Sequence, residues 1–263
     1  MKDKATRISE LRTGKVDGIL HAGIVDITSR DVVRSLQQTN PEIEIWPYFQ
    51  RSFGFALNIR NAPFDDVRVR RAMQMAIDLE GINRNYYKGT SAWQPQGLVG
   101  EGVSGFFPPF EEWPEAVKKG YLYDPEGAEA LLDEAGDPRG ANGIRFKTVL
   151  NHFNRWDLAF RELVADYWGK IGVDVEIDLA PRAEIVARSS ERDFEMKGAN
   201  AAQKWFPMVI LNSFTSGMLW NSSNVDDPAY DAMYEAAGAA TTTEEQNRIY
   251  RQMNQHVIEN FYT

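Results

Sequence analysis

The stretch NAPFDDVRVRRAMQMAIDLEGI, residues 61–82, has the clearest organisation in the chain. Its apolar side chains recur at the i, i+3, i+4, i+7 and i+8 spacing of an amphipathic helix. These positions are Val69, Ala72, Met73, Ala76 and Ile77. Asp65 or Asp66 stands at the expected N-cap, where a carboxylate accepts unpaired backbone N–H groups of the first turn. The stretch therefore predicts a helix that packs one face on a core.

Predicted strands and helices alternate on both sides of this stretch. Before it, the pattern predicts the tail of a helix over residues 7–13, a helix over 29–38, and strands over 15–20, 42–46 and 53–58. After it, the pattern predicts helices over residues 124–135, 156–171, 181–189, 227–238 and 241–260, and strands over 144–150, 173–179 and 193–197. Such alternation predicts an α/β layered domain.

Two of the predicted helices carry further local signals. The helix over residues 156–171 is expected to be amphipathic, with Ala159, Leu163, Tyr167 and Ile171 in register. The last helix begins with a capping box, either Thr241 with Glu244 or Thr242 with Glu245. Residues 88–122 and 200–225 are expected to be irregular, and loops of such length are usually functional or wrap another domain.

Composition and charge exclude several classes of protein. The 263 residues carry 29 Lys plus Arg against 38 Asp plus Glu, a net charge of -9, and no basic block that would bind nucleic acid. There is no cysteine, which excludes disulfides, thiolate catalysis and cysteine-based zinc sites. No apolar run reaches the length of a membrane span, and the N-terminus has no apolar signal region. The chain is therefore expected to be cytosolic or to begin inside a longer one.

Signatures of catalysis are scarce. The three histidines, His21, His152 and His256, form no HExxH pair, and the chain contains no GxSxG, P-loop or GxGxxG motif. We therefore predict that the protein is not an enzyme and uses no cofactor or metal. If it were an enzyme, the aromatic and Asn-rich segment 200–225 would be the best candidate for its site.

A set of short motifs between residues 55 and 89 carries a family resemblance. They are Asn58, PFDD at residues 63–66, RVRRA at 68–72, AID at 76–78 and YKG at 87–89. Together they resemble the extracellular solute-binding proteins of family 5, the oligopeptide- and dipeptide-binding type that serves ABC importers. Further similar segments are LRTGKVD at residues 11–17, YDPE at 123–126, LLDEAG at 131–136, IGV at 171–173 and ERDF at 191–194. The resemblance thus covers nearly the whole chain.

The resemblance implies a two-lobed protein whose chain crosses between the lobes. Residues 1–50 are then a remnant of the first lobe with the crossover segment, and residues 51–263 are the second, C-terminal lobe, truncated before the return crossing. The implied fold is a lobe like that of type II periplasmic binding proteins, with a mixed sheet flanked by helices. The implied protein is periplasmic or otherwise extracytoplasmic, and its export signal is absent here because the chain is a fragment.

The implied function is capture of a peptide or peptide-like solute and its delivery to a permease. The expected partners are a small-molecule or peptide ligand and an ABC permease in the membrane, with no nucleic acid, and the protein is expected to be a monomer. Two alternatives remain open. The chain could be the ligand-sensing domain of a regulator, or it could bind a non-peptide solute such as a sugar, an opine or a metal chelate.

The resemblance also implies where the solute binds, because these proteins enclose it between the lobes. Asn151, His152, Phe153 and Asn154 follow one predicted strand. Lys204, Trp205 and Phe206 lie where the family has a Gly-Trp motif that lines the pocket. These seven residues are the predicted ligand-binding set. Asn154 also suits a helix N-cap before residue 156, and Trp205 could pack rather than stack on a ligand.

The sequence departs from the family at this motif. Peptide binders of the family often place an Asp three residues after the Trp, where it pairs with the peptide ammonium. Here that position is Met208, and Lys204 replaces the Gly. Because Met cannot form a charge-assisted bond to an ammonium, a solute with an acidic or sugar-like end suits Lys204 better. Arg182 and Arg188 are interpreted as solvated surface charges.

Overall fold

The computed structural model describes residues 4–18, 30–45, 51–89, 91, 93–95, 109–153, 158–202, 207–219 and 221–262. The chain divides into two compact units, residues 1–49 and 50–263. The first unit contains helices α1 (Lys4–Arg12) and α2 (Arg30–Thr39). Arg12 Nη2 donates to Ser35 Oγ at 2.8 Å, and Leu36 is buried.

The two strands predicted in this unit are wrong over their described residues. Residues 15–17 are bends and residues 41–43 are turns and a bend, with no strand pairing. Both segments alternate polar and apolar side chains, but that pattern yields a strand only where a neighbouring strand completes its backbone hydrogen bonds.

The second unit contains four strands and nine helices among its described residues. The strands are β1 (Arg51–Leu57), β2 (Phe146–His152), β3 (Val173–Leu179) and β4 (Met196–Ala202). The helices are α3 (Val67–Met75), α4 (Leu79–Asn85), α5 (Glu115–Lys118), α6 (Pro125–Ala135), α7 (Leu158–Lys170), α8 (Arg182–Glu191), α9 (Pro207–Leu211), α10 (Pro228–Ala239) and α11 (Thr243–Glu259). Short 3-10 turns cover Phe110–Glu112 and Asn212–Phe214.

The four strands form one mixed sheet in the order β1-β4-β2-β3. β1 runs antiparallel to β4, whereas β2 runs parallel to both β3 and β4. The β1–β4 and β2–β3 pairings extend along the seven residues of each strand, but β2 and β4 meet only at Leu150↔Met196 and Asn151↔Lys197. We call this short pairing the seam. The implied mixed sheet flanked by helices is confirmed.

The chain leaves β2 in one direction across the sheet and leaves β3 in the other. Right-handed crossovers then place α7 and α8 on opposite faces. The inner face carries Phe55, Leu57, Leu150 and Met196, which pack with α3, α6 and α7 in the main core. The outer face carries a row of cross-strand neighbours, Asp178, Asn151, Lys197 and Ala56, and is reached by α8.

The stretch that predicted the fold forms α3 on the inner face. Asp66 is its N-cap and accepts the backbone N–H of Arg68 at 2.7 Å. All five predicted apolar positions are buried: Val69, Ala72, Met73, Ala76 and Ile77. Each removes apolar surface from water, so the prediction of a core-facing helix is confirmed.

The predicted apolar face of α7 is confirmed in part. Ile171 is completely buried, and Leu163 and Tyr167 are half-buried against the main core, but Ala159 is exposed. The helix also buries Phe160, Val164 and Trp168. Trp168 fits the inner face because its ring packs on Phe55 at 4.7 Å and its Nε1 donates to the Met73 carbonyl at 2.8 Å. Both sets of residues have helical spacing and pack on the same core, where Phe160 and Trp168 supply the larger side chains.

A second core lies among α9, α10 and α11. Its buried members include Ile210, Leu211, Phe214, Tyr230, Ile249, Met253 and Val257. Asp227 and Thr242 are the N-caps of α10 and α11. The Thr242 hydroxyl accepts the backbone N–H of Glu245, in agreement with the second of the two predicted capping pairs. Residues 200–225 are more regular than predicted, because β4 continues to Ala202 and α9 follows. No described helix is both long and apolar enough to cross a bilayer.

Candidate functional site

The parallel strands β2, β3 and β4 point their carboxyl ends to one edge of the sheet. His152 and Leu179, the last residues of β2 and β3, are directly paired, whereas β4 continues from Lys197 to Ala202 beside β1. We call this boundary the stepped edge. Open α/β sheets bind ligands outside the carboxyl ends of their strands, where the crossover helices change faces. The stepped edge is therefore the candidate site.

Asn151 lies on the outer face and is 5% exposed. Its Nδ2 donates to Asp178 Oδ2 at 3.1 Å, and Arg188 Nη1 donates to the same oxygen at 2.6 Å. Hydrogen bonds to Asp178 and then to Glu184 raise the pKa of Arg188. Arg188 is therefore not a free surface charge, and it fixes the carboxylate that orients the Asn151 amide.

His152 points to the inner face and is 2% exposed. It packs over Gly198, where an added Cβ would lie 2.6 Å from His152 Nδ1. Arg161, completely buried, lies beside it, with its Nη1 2.5 Å from the Gly54 carbonyl oxygen and its guanidinium 4.5 Å from the Phe55 ring centroid. His152 and Arg161 therefore pack beneath the stepped edge and are not accessible to a ligand.

Phe153 is the half-buried member of the predicted set at the stepped edge. The guanidinium of Arg182, at the start of α8, lies 5.7 Å from its ring centroid. β2 and β3 end side by side, so the residues that follow them meet. Phe153 and Arg182 thus offer an accessible aromatic ring beside a cation at this edge, where Leu179 is also exposed.

Four predicted site residues, Asn154, Lys204, Trp205 and Phe206, lie outside the described residues. The neighbouring Met208 is described, and it belongs to the second core. The Tyr250 hydroxyl contacts its Sδ at 3.2 Å, and its Cε would lie 3.6 Å from a Cβ added at Gly238. The side chain at position 208 therefore packs between α10 and α11.

Lys197 is the residue of this region that sequence reasoning missed. It is half-buried on the outer face, and its Nζ lies 4.4 Å from the centroid of the Phe194 ring. Burial, together with repulsion from Arg192, lowers the pKa of Lys197 to about 8. The available signal was a lysine within the otherwise uncharged run MKGANAA, residues 196–202. Across the described part of the chain, no group of three or more His, Asp or Glu could hold a metal ion.

The chain is similar to known proteins in sequence and in fold. The model of "Bacterial extracellular solute-binding proteins, family 5 Middle" matches residues 1–226. Heme-binding protein A of Haemophilus influenzae is 28% identical over 259 residues, which are 95% of this chain and 44% of that protein. A dipeptide-binding protein of Pseudomonas aeruginosa is 25% identical over 264 residues, which are 97% of this chain and 46% of that protein.

The fold also matches solved structures. NikA from Brucella suis, solved in complex with Fe(III)-EDTA, superposes with a TM-score of 0.77 at 21% identity over 99% of this chain and 53% of that one. The sheet and helices described above are therefore those of a known architecture. The chain spans about half the length of the proteins it matches.

Proposed function

Because the chain belongs to the family 5 bacterial extracellular solute-binding proteins, we propose that it is one lobe of the substrate-binding component of an ABC importer. The observation that carries this proposal is the family match over residues 1–226, which include every strand of the stepped edge. In this proposal residues 1–50 belong to the first lobe and its crossover, and residues 51–263 form the second lobe.

The stepped edge supports a binding role in physical terms. Asn151 donates to Asp178 and His152 packs over Gly198, so contacts within the sheet already orient the end of β2. A preorganised surface loses less entropy on binding than a mobile one. Phe153 then supplies an accessible ring, and closure of a second lobe over the edge would remove the solute from water.

The remaining predicted contacts complete the proposed site. In the sequence Asn154 is the second residue after β2, and Lys204, Trp205 and Phe206 begin two residues after β4, so we propose that they contribute to the site. We propose that Trp205 stacks on the solute and that Lys204 approaches its acidic or polar end. Binding without turnover, a periplasmic location, a monomeric state and delivery to a membrane permease belong to the same proposal, which includes no nucleic acid.

The proposed solute is a peptide or peptide-like molecule, as the names of the Pseudomonas aeruginosa relatives suggest. A second candidate is a non-peptide solute such as a metal chelate. Two observations favour it: Met208 packs in the second core instead of offering a carboxylate, and the 28% identical relative is named for heme. Both candidates use the same edge and differ in the group that meets residues 204–206.

A melting experiment on the complete two-lobed protein tests the proposal. A panel of dipeptides, tripeptides, glutathione and heme should contain a ligand that raises the Tm, by a stabilisation of about 2.7 kcal/mol at a hundredfold excess over Kd. Trp205→Ala should abolish that rise, whereas Trp93→Ala, at a half-buried tryptophan, should retain it. A panel without any stabilising ligand contradicts the proposed function, and a retained rise in Trp205→Ala removes Trp205 from the site.

A further inference from the structure

The outer face of the sheet carries two neighbouring cations, Lys197 on β4 and Arg192 at the end of α8. Within the described residues, no carboxylate lies within 4 Å of the Lys197 Nζ. This Nζ lies over the Phe194 ring, 4.4 Å from the ring centroid. The Arg192 guanidinium donates to the carbonyl of Asn221 and, at 2.7 Å, to that of Met218. Neutral partners hold both cations in place without neutralising them.

The electrostatics of the pair agree with this geometry. Burial is the largest cause of the lowered pKa of both Lys197 and Arg192. Repulsion adds to it, since Arg192 acts on Lys197 and Arg60 acts on Arg192. Arg60 has its own counterion in Asp226, and both of these side chains are about half exposed. Although the chain has a net charge of -9, Lys197 and Arg192 therefore form a positive location.

Two acidic side chains of this region, Asp178 and Glu195, already bind other groups. Asp178 accepts from Asn151 and Arg188, and Glu195 Oε2 accepts from Thr148 Oγ1 and the Val149 backbone N–H, both at 2.8 Å. A desolvated ammonium without a counterion is costly, and a carboxylate that binds it gains a charge-assisted hydrogen bond. The position is also informative, because Lys197 pairs with Asn151 where β2 reaches the stepped edge.

We propose that Lys197 and Arg192 form a subsite for a carboxylate group on the outer face of the sheet, beside the amide of Asn151. The inference rests on the proposed function and deepens it, because it assigns the captured solute an organic acid group. The Phe194 ring forms one wall, Lys197 supplies the hydrogen-bond donor, and Arg192 supplies additional positive potential.

Acetate is the probe for the test, carried out on the 263-residue chain. With lysine labelled by ¹³C at Cε, each lysine is titrated by NMR in sodium acetate and in sodium chloride at equal ionic strength. A bound carboxylate raises the pKa of Lys197, so its titration midpoint should be about 1 pH unit higher in acetate. Lys197→Met identifies the signal by its loss.

An internal control and one variant sharpen the result. Lys147 lies on β2, is 74% exposed on its side chain and pairs with Asp174, so its midpoint should be the same in both salts. Arg192→Gln should raise the Lys197 midpoint in chloride, because a repelling cation is gone, and should reduce the acetate effect. The subsite is overturned if Lys197 titrates alike in the two salts, or if Lys147 moves as much as Lys197.

This readout is independent of the test of the proposed function. It requires neither a natural solute nor a second lobe. A negative acetate result removes the subsite while a stabilising solute for the complete protein would still establish binding. Conversely, failure of every solute in the melting panel counts against the binding function, whatever the titration of Lys197 shows.

Discussion

The two faces of the sheet differ in how the cationic side chains near the stepped edge are buried and paired. On the inner face Arg161 is fully buried, and it is held by the Gly54 carbonyl and the Phe55 ring. On the outer face Lys197 keeps part of its side chain in solvent and contacts the ring of Phe194. Arg can satisfy a fork of donors inside the fold, whereas Lys has a compact charge that requires a partner. The inner face is thus committed to stability, and the outer face retains a capacity to bind.

The largest expected difference between the faces comes from neighbouring residues of β2. Leu150 is completely buried on the inner face, while Val149 is half-buried on the other. Leu150→Ala should lower the free energy of unfolding by about 2–5 kcal/mol, because it leaves a cavity in the main core. Val149→Ala should cost well under half as much in the same urea titration. Equal losses would show that the two faces do not differ in packing.

A smaller effect is expected from crowding the inner face. Gly198→Ala places a Cβ 2.6 Å from His152 Nδ1, so the buried imidazole must move. We expect a loss of about 1–3 kcal/mol of unfolding free energy by thermal or urea denaturation. The matched control is Gly169→Ala in α7, where the added Cβ would have no atom of a neighbouring element within 4 Å. Because Ala favours a helix more than Gly does, the control should be as stable as the natural chain or more stable. A neutral Gly198→Ala would mean that His152 is not held at that position.

The smallest effect is a pH dependence that belongs to the outer face. The folded state lowers the pKa of Lys197 from 10.5 to about 8, mainly by burial. Between these pH values the unfolded chain binds a proton that the folded chain does not, so stability rises with pH across that window. After allowance for solvent screening, we expect a rise of about 1–2 kcal/mol.

The measurement compares urea unfolding of the natural chain and Lys197→Met at several pH values across that window. The difference in unfolding free energy between the two proteins should change with pH, whereas Lys147→Met should follow the natural chain throughout. A Lys197→Met protein whose stability parallels that of the natural chain at every pH would contradict the lowered pKa.

Much of the fold was predictable because its signals are local. The helix α3 follows from periodicity and the Asp66 cap, and the bounds of β3 were predicted correctly. The strands expected at residues 15–20 and 42–46 were wrong over their described residues, and Ala159 of α7 is exposed, for a common reason. In each case the sequence offers a pattern that is compatible with an element, and distant partners decide whether that pattern is used.

The site was less predictable, because its geometry depends on register between distant strands. Asn151 and Asp178 are in contact only through the β2–β3 pairing, and Lys197 joins them only through the seam. A shift of one residue in either pairing would place these side chains on the other face. No local spacing encodes that alignment, so the sequence alone indicates Asn151 but not its cross-strand neighbour Lys197.

The seam also has a consequence for the order in which the chain folds. The parallel unit β2–α7–β3 is contiguous in sequence, whereas β1 must find β4 across the loop that joins residue 57 to residue 196. Closing that long loop costs entropy that the local unit avoids. The two ribbons then join through two residue pairs and the Glu195 carboxylate, which takes the place of a strand hydrogen bond at Val149. The Glu195 carboxylate thus helps to join the β1–β4 pair, which we expect to form last, to the β2–β3 pair, which we expect to form first.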